Sequence, residues 1–167
     1  MFDSKLHGSQ DLEAIAERQQ ELTARVARLA PVDGVHPAAF PSLTLTRGSV
    51  PTACMPTVCQ PSLGFVVQGR KRSLLNDEVF YYDALNYLVV SVTLPMMGHV
   101  VEASVDRPFL GLRLDLDLDA IARLLLELGD RGAAPIAADR GLFVARMDEA
   151  LLDAVLRMVK LLDTPEL

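Results

Sequence analysis

Tryptophan is absent, aromatic residues make up only 5% of the 167-residue chain, and there are two cysteines and three histidines. Each shortage excludes something. His7, His36 and His99 are scattered, so with two thiols the chain falls short of the roughly four closely spaced ligands of a structural zinc site. Cys54 and Cys59, in CMPTVC, sit in a proline-bracketed segment and read as reduced structural thiols, with redox or ligand contact as the sharper alternative. Positive charge is also scarce. Against 22 Asp and Glu stand 16 Lys and Arg, a net charge of -6 that repels phosphate backbones, so any role at DNA needs another, basic module. No run approaches the roughly 18 uninterrupted apolar residues of a membrane span, and the start MFDSKLHGSQ has no apolar stretch after its positive charge. The expectation is a cytoplasmic protein. Catalytic wording is missing too: there is no GxSxG, no P-loop, no GxGxxG between strand and helix, no HExxH, and no acidic pair that the pattern forces together. The expectation is a non-enzyme that needs no metal and no cofactor.

What is present is the material of one globular domain. Half of the residues are apolar and 23% are charged, and a chain of this length buries roughly 70% of its unfolded surface without staples. From Ser9 to Ala30 the apolar residues Leu12, Ile15, Leu22, Val26 and Leu29 recur at helical steps, with Gln19 on the same stripe, Ser9 as N-cap and Pro31 as stop. Two destinations fit this stripe: the chain's own domain, or an a/d seam with a second chain.

After Gly34 the character changes. Prolines at 37, 41, 51, 56 and 61 break helices, and short alternating runs follow: SLTLT (42–46), SLGFVVQG (62–69), KRSLL and EVFYY about an Asn76-Asp77 turn, NYLVVSVTL (86–94) stopped or edged by Pro95, MMGHVVEAS (96–104) and PFLGLRLDL (108–116). The hairpin register sets Leu74 opposite Val79 and Arg72 opposite Tyr81. In the last run Leu110, Leu112, Leu114 and Leu116 share one face, while Phe109, Gly111, Arg113 and Asp115 share the other. Strands without helical crossovers between residues 35 and 116 predict a barrel or double-sheet roll.

The tail returns to helix. Asp117 or Asp119 caps a segment carrying Leu118, Ile121, Leu125 and Leu128, with Gly129 as C-cap, and a loop containing Gly132, Pro135 and Gly141 follows. Asp148 caps a second helix whose Leu151, Leu152, Val155, Leu156, Val159 and Leu162 form a wide apolar stripe, a candidate dimer surface. For ligand contact the candidates are Gln68, Tyr87, His99 and Arg113. His99 shares a strand face with Met97 and Val101, and pointing into the barrel it either binds a ligand or satisfies a neighbouring carbonyl. Arg113 is either a surface residue neutralised by Asp115 or a carboxylate anchor in a pocket. The Arg70-Lys71-Arg72 run reads as protection of a strand edge.

The order Pro61-Ser62-Leu63, Gln68-Gly69-Arg70-Lys71, Tyr82-Asp83, Tyr87-Leu88-Val89, Ser91-Val92-Thr93-Leu94-Pro95 and Glu102-Ala103-Ser104 resembles the N-terminal regulatory domain of AraC-type bacterial transcriptional regulators. GVHPAAFPSLTLTR before it and GLFVARMDEALLDAVLRMVKLLDTPE after it extend the resemblance over about residues 20 to 166. The resemblance implies a mainly β fold, a cupin-like double-sheet β-barrel of jelly-roll type with an N-terminal helix and two C-terminal helices. It also implies that DNA binding resides in C-terminal helix-turn-helix units. The expected organisation is a helical extension over 1–34, the barrel over 35–116 and a helical dimerisation or linker segment over 117–167, the chain ending before any DNA-binding domain. The expected function is effector sensing or dimerisation, with a homodimer, a small partly apolar effector and no membrane as partners. A dimerisation module with a filled barrel, and a small-molecule-binding cupin or enzyme, are the alternatives.

Overall fold

The computed structural model describes residues 4–128 and 141–163. The expected cap Gly129, the loop positions Gly132 and Pro135, and residues 164–167 lie outside that range. Helix α1 (Ser4–Leu29) leads into strands β1 (Gly34–Pro37), β2 (Leu43–Gly48), β3 (Met55–Cys59), β4 (Ser62–Gln68), β5 (Arg70–Leu75), β6 (Glu78–Asp83), β7 (Asn86–Val90), β8 (Leu94–Glu102) and β9 (Phe109–Asp115). Helix α2 (Leu118–Leu128), strand β10 (Leu142–Arg146) and helix α3 (Glu149–Leu162) complete the described chain. All strand pairs are antiparallel, in a six-stranded sheet ordered β1-β2-β9-β4-β7-β10 and a four-stranded sheet ordered β3-β8-β5-β6.

Period-two alternation gives the larger sheet two buried faces. Leu43, Leu45, Phe65, Val67, Leu110 and Leu112 project from β2, β4 and β9 into one core with Leu22, Val26 and Ala30 of the α1 region and Leu152, Val155, Leu156 and Val159 of α3. The opposite face contributes Val66, Leu88, Val90, Phe109 and Leu142 to a second core, closed by Tyr82, Leu94, Met96 and Val100 from the smaller sheet. The molecule is therefore a double-sheet barrel with α1 and α3 packed on one side. The first helix takes the first of its two possible destinations, since Ile15 and Leu29 pack against the same core and the Gln19 side-chain amide donates to the Val67 carbonyl at 2.9 Å.

The β5–β6 hairpin has the expected register, Leu74 opposite Val79 and Arg72 opposite Tyr81, about Asn76 at φ 53°. Asp117 rather than Asp119 caps α2, its Oδ1 accepting from the amides of Asp119 and Ala120 at 3.0 Å each, and Asp148 caps α3 through the Leu151 amide at 2.8 Å.

Several expectations are corrected. The first helix starts at Ser4, before the expected cap Ser9. The apolar run 86–94 is not one strand: β7 ends at Val90, and Pro95 lies inside β8, opposite Val58 of the edge strand β3. Proline is tolerated there because β5, the other neighbour of β8, pairs no further along than Leu74 with Met97. Residues 117–167 are not purely helical. Strand β10 returns to pair with β7, placing Leu142 in the barrel core, an excursion too short to announce itself by periodicity. The stripe on α3 is consumed within the chain: Leu152, Val155, Leu156 and Val159 are buried, and Leu151 and Leu162 pack half-buried on the same core.

Glycine is required at the corner where the chain passes from one sheet to the other. Gly69 has φ 85°, and a Cβ there would run into the Glu102 carbonyl oxygen and the Phe109 backbone. Gly69→Ala is expected to lower unfolding free energy by at least about 2 kcal/mol in urea titration, whereas Gly48→Ala, with no contact nearer than 3.9 Å, stays within about 0.5 kcal/mol.

Ion pairs tie α1 to α3. Asp163 accepts from both Arg25 and Arg28, Lys160 Nζ lies 3.1 Å from Glu21, and Arg18 bonds Glu149 at 2.7 Å. Arg28, and then Arg25, hold the Asp163 carboxyl below its ordinary value, and Arg25 and Lys160 do the same for Glu21. A folded-state pKa below the unfolded value contributes stability above the unfolded pKa, and that contribution is lost as pH falls through the folded one. Urea unfolding measured from neutral pH down through the carboxylate range is expected to show Asp163→Asn less stable than the parent at neutral pH, with the gap closing on acidification and narrowing in high salt.

Candidate ligand cavity between the sheets

Between the two sheets lies a cavity of about 410 Å³. Its apolar lining comes from the inward positions Val66, Leu88, Val90, Met96 and Phe109. Strand-interior glycines keep it open: Gly64 on β4, Gly98 on β8 and Gly111 on β9 all line it, and a Cβ on Gly111 would meet the Phe109 ring at 2.9 Å. Polar groups enter from the same faces. Thr44 and Thr46 of β2, Thr57 and Cys59 of β3, Ser62 of β4 and Tyr82 of β6 line the space.

Two cations reach it. Lys71 alternates with the outward Arg70 and Arg72 and stands opposite Val100 on β8 and Tyr82 on β6, both inward residues, which directs it into the barrel. Arg113 sits at the mouth, its register partners being Thr44 and Gly64, with its side chain 56% exposed and Nε 3.0 Å from Asp115 Oδ1. Arg113 is thus neutralised by Asp115 and also lines the cavity. Burial pushes the Cys59 thiol up, partly offset by the nearby charges of Lys71 and Arg113.

The four expected contact residues are not brought together. Arg113 lines the cavity; the other three lie elsewhere. The Gln68 side-chain amide donates to the Pro108 carbonyl at 2.8 Å, fixing the entry to β9. Tyr87 is on the helix-covered face of the larger sheet, stacked on Phe65 at 5.7 Å between ring centroids. His99 is on the outer face of the smaller sheet opposite Arg72, its buried Nδ1 without a partner. The alternation along β8 is as expected but its facing is reversed, because Met96, Gly98 and Val100 line the interior, where a glycine makes room, and Met97 and His99 face out. The residues overlooked are Lys71, hidden inside a basic run that reads as edge protection, and the inward Thr and Gly positions, whose signal is glycine recurring in strand interiors.

Among the described residues no group of three or more His, Cys, Asp or Glu is placed to hold a metal ion, and no helix is long and apolar enough to cross a membrane. The arrangement instead offers an apolar chamber with a few hydroxyls and positive charge at one side, the usual make-up of a small-molecule site.

Residues 39–167 match the family model described as the AraC-type transcriptional regulator N-terminus. The chain belongs to that family. No curated protein matches it. Among solved structures, the unsaturated fatty acid-bound wild-type ToxT of Vibrio cholerae strain SCE256 aligns with a TM-score of 0.53 at 8% identity, over 73% of this chain and 46% of that one. An apo point mutant of ToxT from the same strain aligns at 0.48 and 6% identity, over 72% and 47%. A point mutant of the salicylate 1,2-dioxygenase from Pseudoaminobacter salicylatoxidans aligns at 0.37 and 16% identity, over 78% and 37%. The fold is the cupin-like double-sheet barrel that the family implies, and the chain spans about half the length of the ToxT chains that it matches.

A thiol with a raised pKa holds less thiolate at neutral pH. In a Cys54→Ser background, iodoacetamide is expected to label Cys59 more slowly than the same chain in denaturant, with the folded-state rate still climbing above the ordinary thiol range; equal rates in the two states would contradict the burial of this group.

Proposed function

We propose that this AraC-type N-terminal domain is a non-catalytic sensor: it takes a small, partly apolar, acidic molecule into the cavity between its sheets, self-associates, and governs DNA binding carried by a C-terminal helix-turn-helix segment. The observation that carries the reading is a chamber of about 410 Å³ with aliphatic walls into which Lys71 projects and at whose mouth Arg113 lies. The volume falls within the range of drug-sized ligand sites, and an ammonium beside apolar walls favours an anionic head with an apolar body. A barrel serving only as a dimerisation scaffold needs no such space. The fatty acid named for the bound ToxT structure has the same chemical character, an acid on an apolar body.

Lys71 is the more telling of the two cations. Arg113 already has Asp115 at 3.0 Å, and no carboxylate among the described residues is paired with Lys71. A ligand carboxylate that reaches Lys71 therefore gains a partner without displacing one, whereas at Arg113 it competes with Asp115.

Titration calorimetry and thermal melts with a panel of aliphatic and aromatic monocarboxylic acids test the proposal. A member of the panel is expected to bind, to add roughly 2.7 kcal/mol of stability at 100 times its Kd, and to protect Cys59 from alkylation. Lys71→Met is expected to weaken that affinity by about tenfold to a hundredfold, and Arg113→Ala by less. Ligands that bind as tightly to Lys71→Met as to the parent, or a panel that moves neither the melt nor the labelling rate, would overturn the assignment.

A further inference from the structure

Among the described residues, α1 packs on the larger sheet against β2, β4 and β9, and α3 shares that core. On the smaller sheet the outward positions stay open. Val58 is 65% exposed and Met97 41%, and with Pro56 and Leu74 they border a shallow groove of about 500 Å³. Further along the same strands the face turns basic. Arg70, whose guanidinium lies 3.6 Å from Glu102, and Arg72 stand there, and the Arg70 Nε, the Arg72 Nε and the His99 Nδ1 are buried atoms without hydrogen-bond partners. The outer face is thus graded along β5, cationic at its start and apolar at its end.

The same chain carries the opposite gradient on an uncovered helix. Helix α2 carries Asp119 in its first turn, after its cap Asp117, and Leu124, Leu125 and Leu126, which are 56%, 55% and 83% exposed, in its second half, before it closes on Glu127 and Leu128. Eleven helical residues span about 16 Å, close to the roughly 20 Å of the six-residue β5. A short connection from the end of β9 leads into α2, whose leucines are exposed in the chain.

We propose that two copies of this chain exchange these surfaces: α2 of each lies along the outer face of the other's four-stranded sheet, leucines over the groove and acidic end beside Arg70 and Arg72. The occupant is a second copy because charge and apolar character match in order and in length, and a two-fold axis that makes both contacts at once closes the assembly. Each contact covers apolar surface that both elements otherwise leave in water and brings carboxylates to the basic end of the sheet. The inference rests on the proposal that the domain self-associates, and it adds which surfaces meet.

Sedimentation velocity of the full 167-residue chain at micromolar to tenth-millimolar concentrations tests it. The parent is expected to dimerise, and Leu125→Asp or Val58→Asp, each at an exposed position, to weaken association at least about tenfold by placing a carboxylate in an apolar contact, with unchanged circular dichroism and with melting unchanged at concentrations where the parent is monomeric. An equimolar mixture of the two variants is expected to recover part of the association, because the intact helix of one meets the intact sheet of the other. Asp119→Arg is expected to weaken the dimer, and Arg72→Glu in the same chain to restore it. A parent dimer that survives both aspartate variants would overturn the assigned surfaces while leaving self-association standing. A strictly monomeric parent would overturn both, and a mixture no more associated than its components would overturn the reciprocal exchange.

Discussion

Everything in this domain depends on the larger sheet being buried on both faces. A strand covered on one side alternates apolar with polar, and one covered on both sides usually reads as a continuous apolar run. Strands β2, β4 and β9 do neither. Their helix-side positions are large, Leu43, Leu45, Phe65, Val67, Leu110 and Leu112, and several of their barrel-side positions are small or hydroxylated, Thr44, Thr46, Ser62, Gly64 and Gly111. Side chains of that size cannot fill the space between two sheets packed roughly 10 Å apart. The same alternation that fastens α1 and α3 outside therefore leaves a cavity inside, and one sequence pattern serves stability on one face and open space on the other.

How far this was legible in the sequence follows from which signals are local. The Asn76-Asp77 turn fixes the hairpin register because a two-residue loop leaves the strands no slack, and the Asp148 and Asp117 caps sit within a few residues of the amides that they serve. The alternation of β9 was legible for the same reason. Facing is a different matter. Alternation along β8 says that Met96 and Met97 part company, but which of them meets the other sheet depends on residues tens of positions away, so His99 reads equally well as inside or outside. Lys71 shows the same limit, because nothing in the run Arg70-Lys71-Arg72 distinguishes the middle residue until its neighbours on β6 and β8 are known. Strand β10 and the burial of the α3 stripe were illegible for a third reason: a five-residue strand carries little periodicity, and a wide apolar stripe does not say whether its cover comes from the same chain.

The charge distribution also changes meaning once it is placed. A net charge of -6 describes a surface that repels phosphate. Three basic residues in a row on β5 nonetheless divide between two environments, Lys71 into the barrel and Arg70 and Arg72 onto its outer face, where Arg70 lies 5.1 Å from the centre of the Tyr81 ring and 3.6 Å from Glu102. Of the other described arginines, Arg18, Arg25 and Arg28 meet carboxylates of α3 or its C-cap, Arg157 meets one within α3, and Arg113 meets one at the cavity mouth. Net charge thus misstates the local field in the cavity, where among the described residues Lys71 and Arg113 stand near Cys59 and the carboxylate beside them, Asp115, is already engaged by Arg113.

Strand β9 joins these two sides. Arg113 points to the cavity mouth while its neighbours Leu112 and Leu114 pack on the helix-side core, and β9 is hydrogen-bonded to β2 on one side and β4 on the other. The backbone at its end is held as well, with the Asp115 amide donating to Ser42 and the Leu116 amide to Pro61. Close-packed interiors transmit displacement rather than absorb it. A shift of β9 that re-aims Arg113 must therefore move Leu112 and Leu114 against the core that seats α3, and α3 is fixed to α1 through Asp163 and Lys160. Strand β9 thus couples the packing at the cavity mouth to that of the helix pair, which the α1–α3 ion pairs hold together.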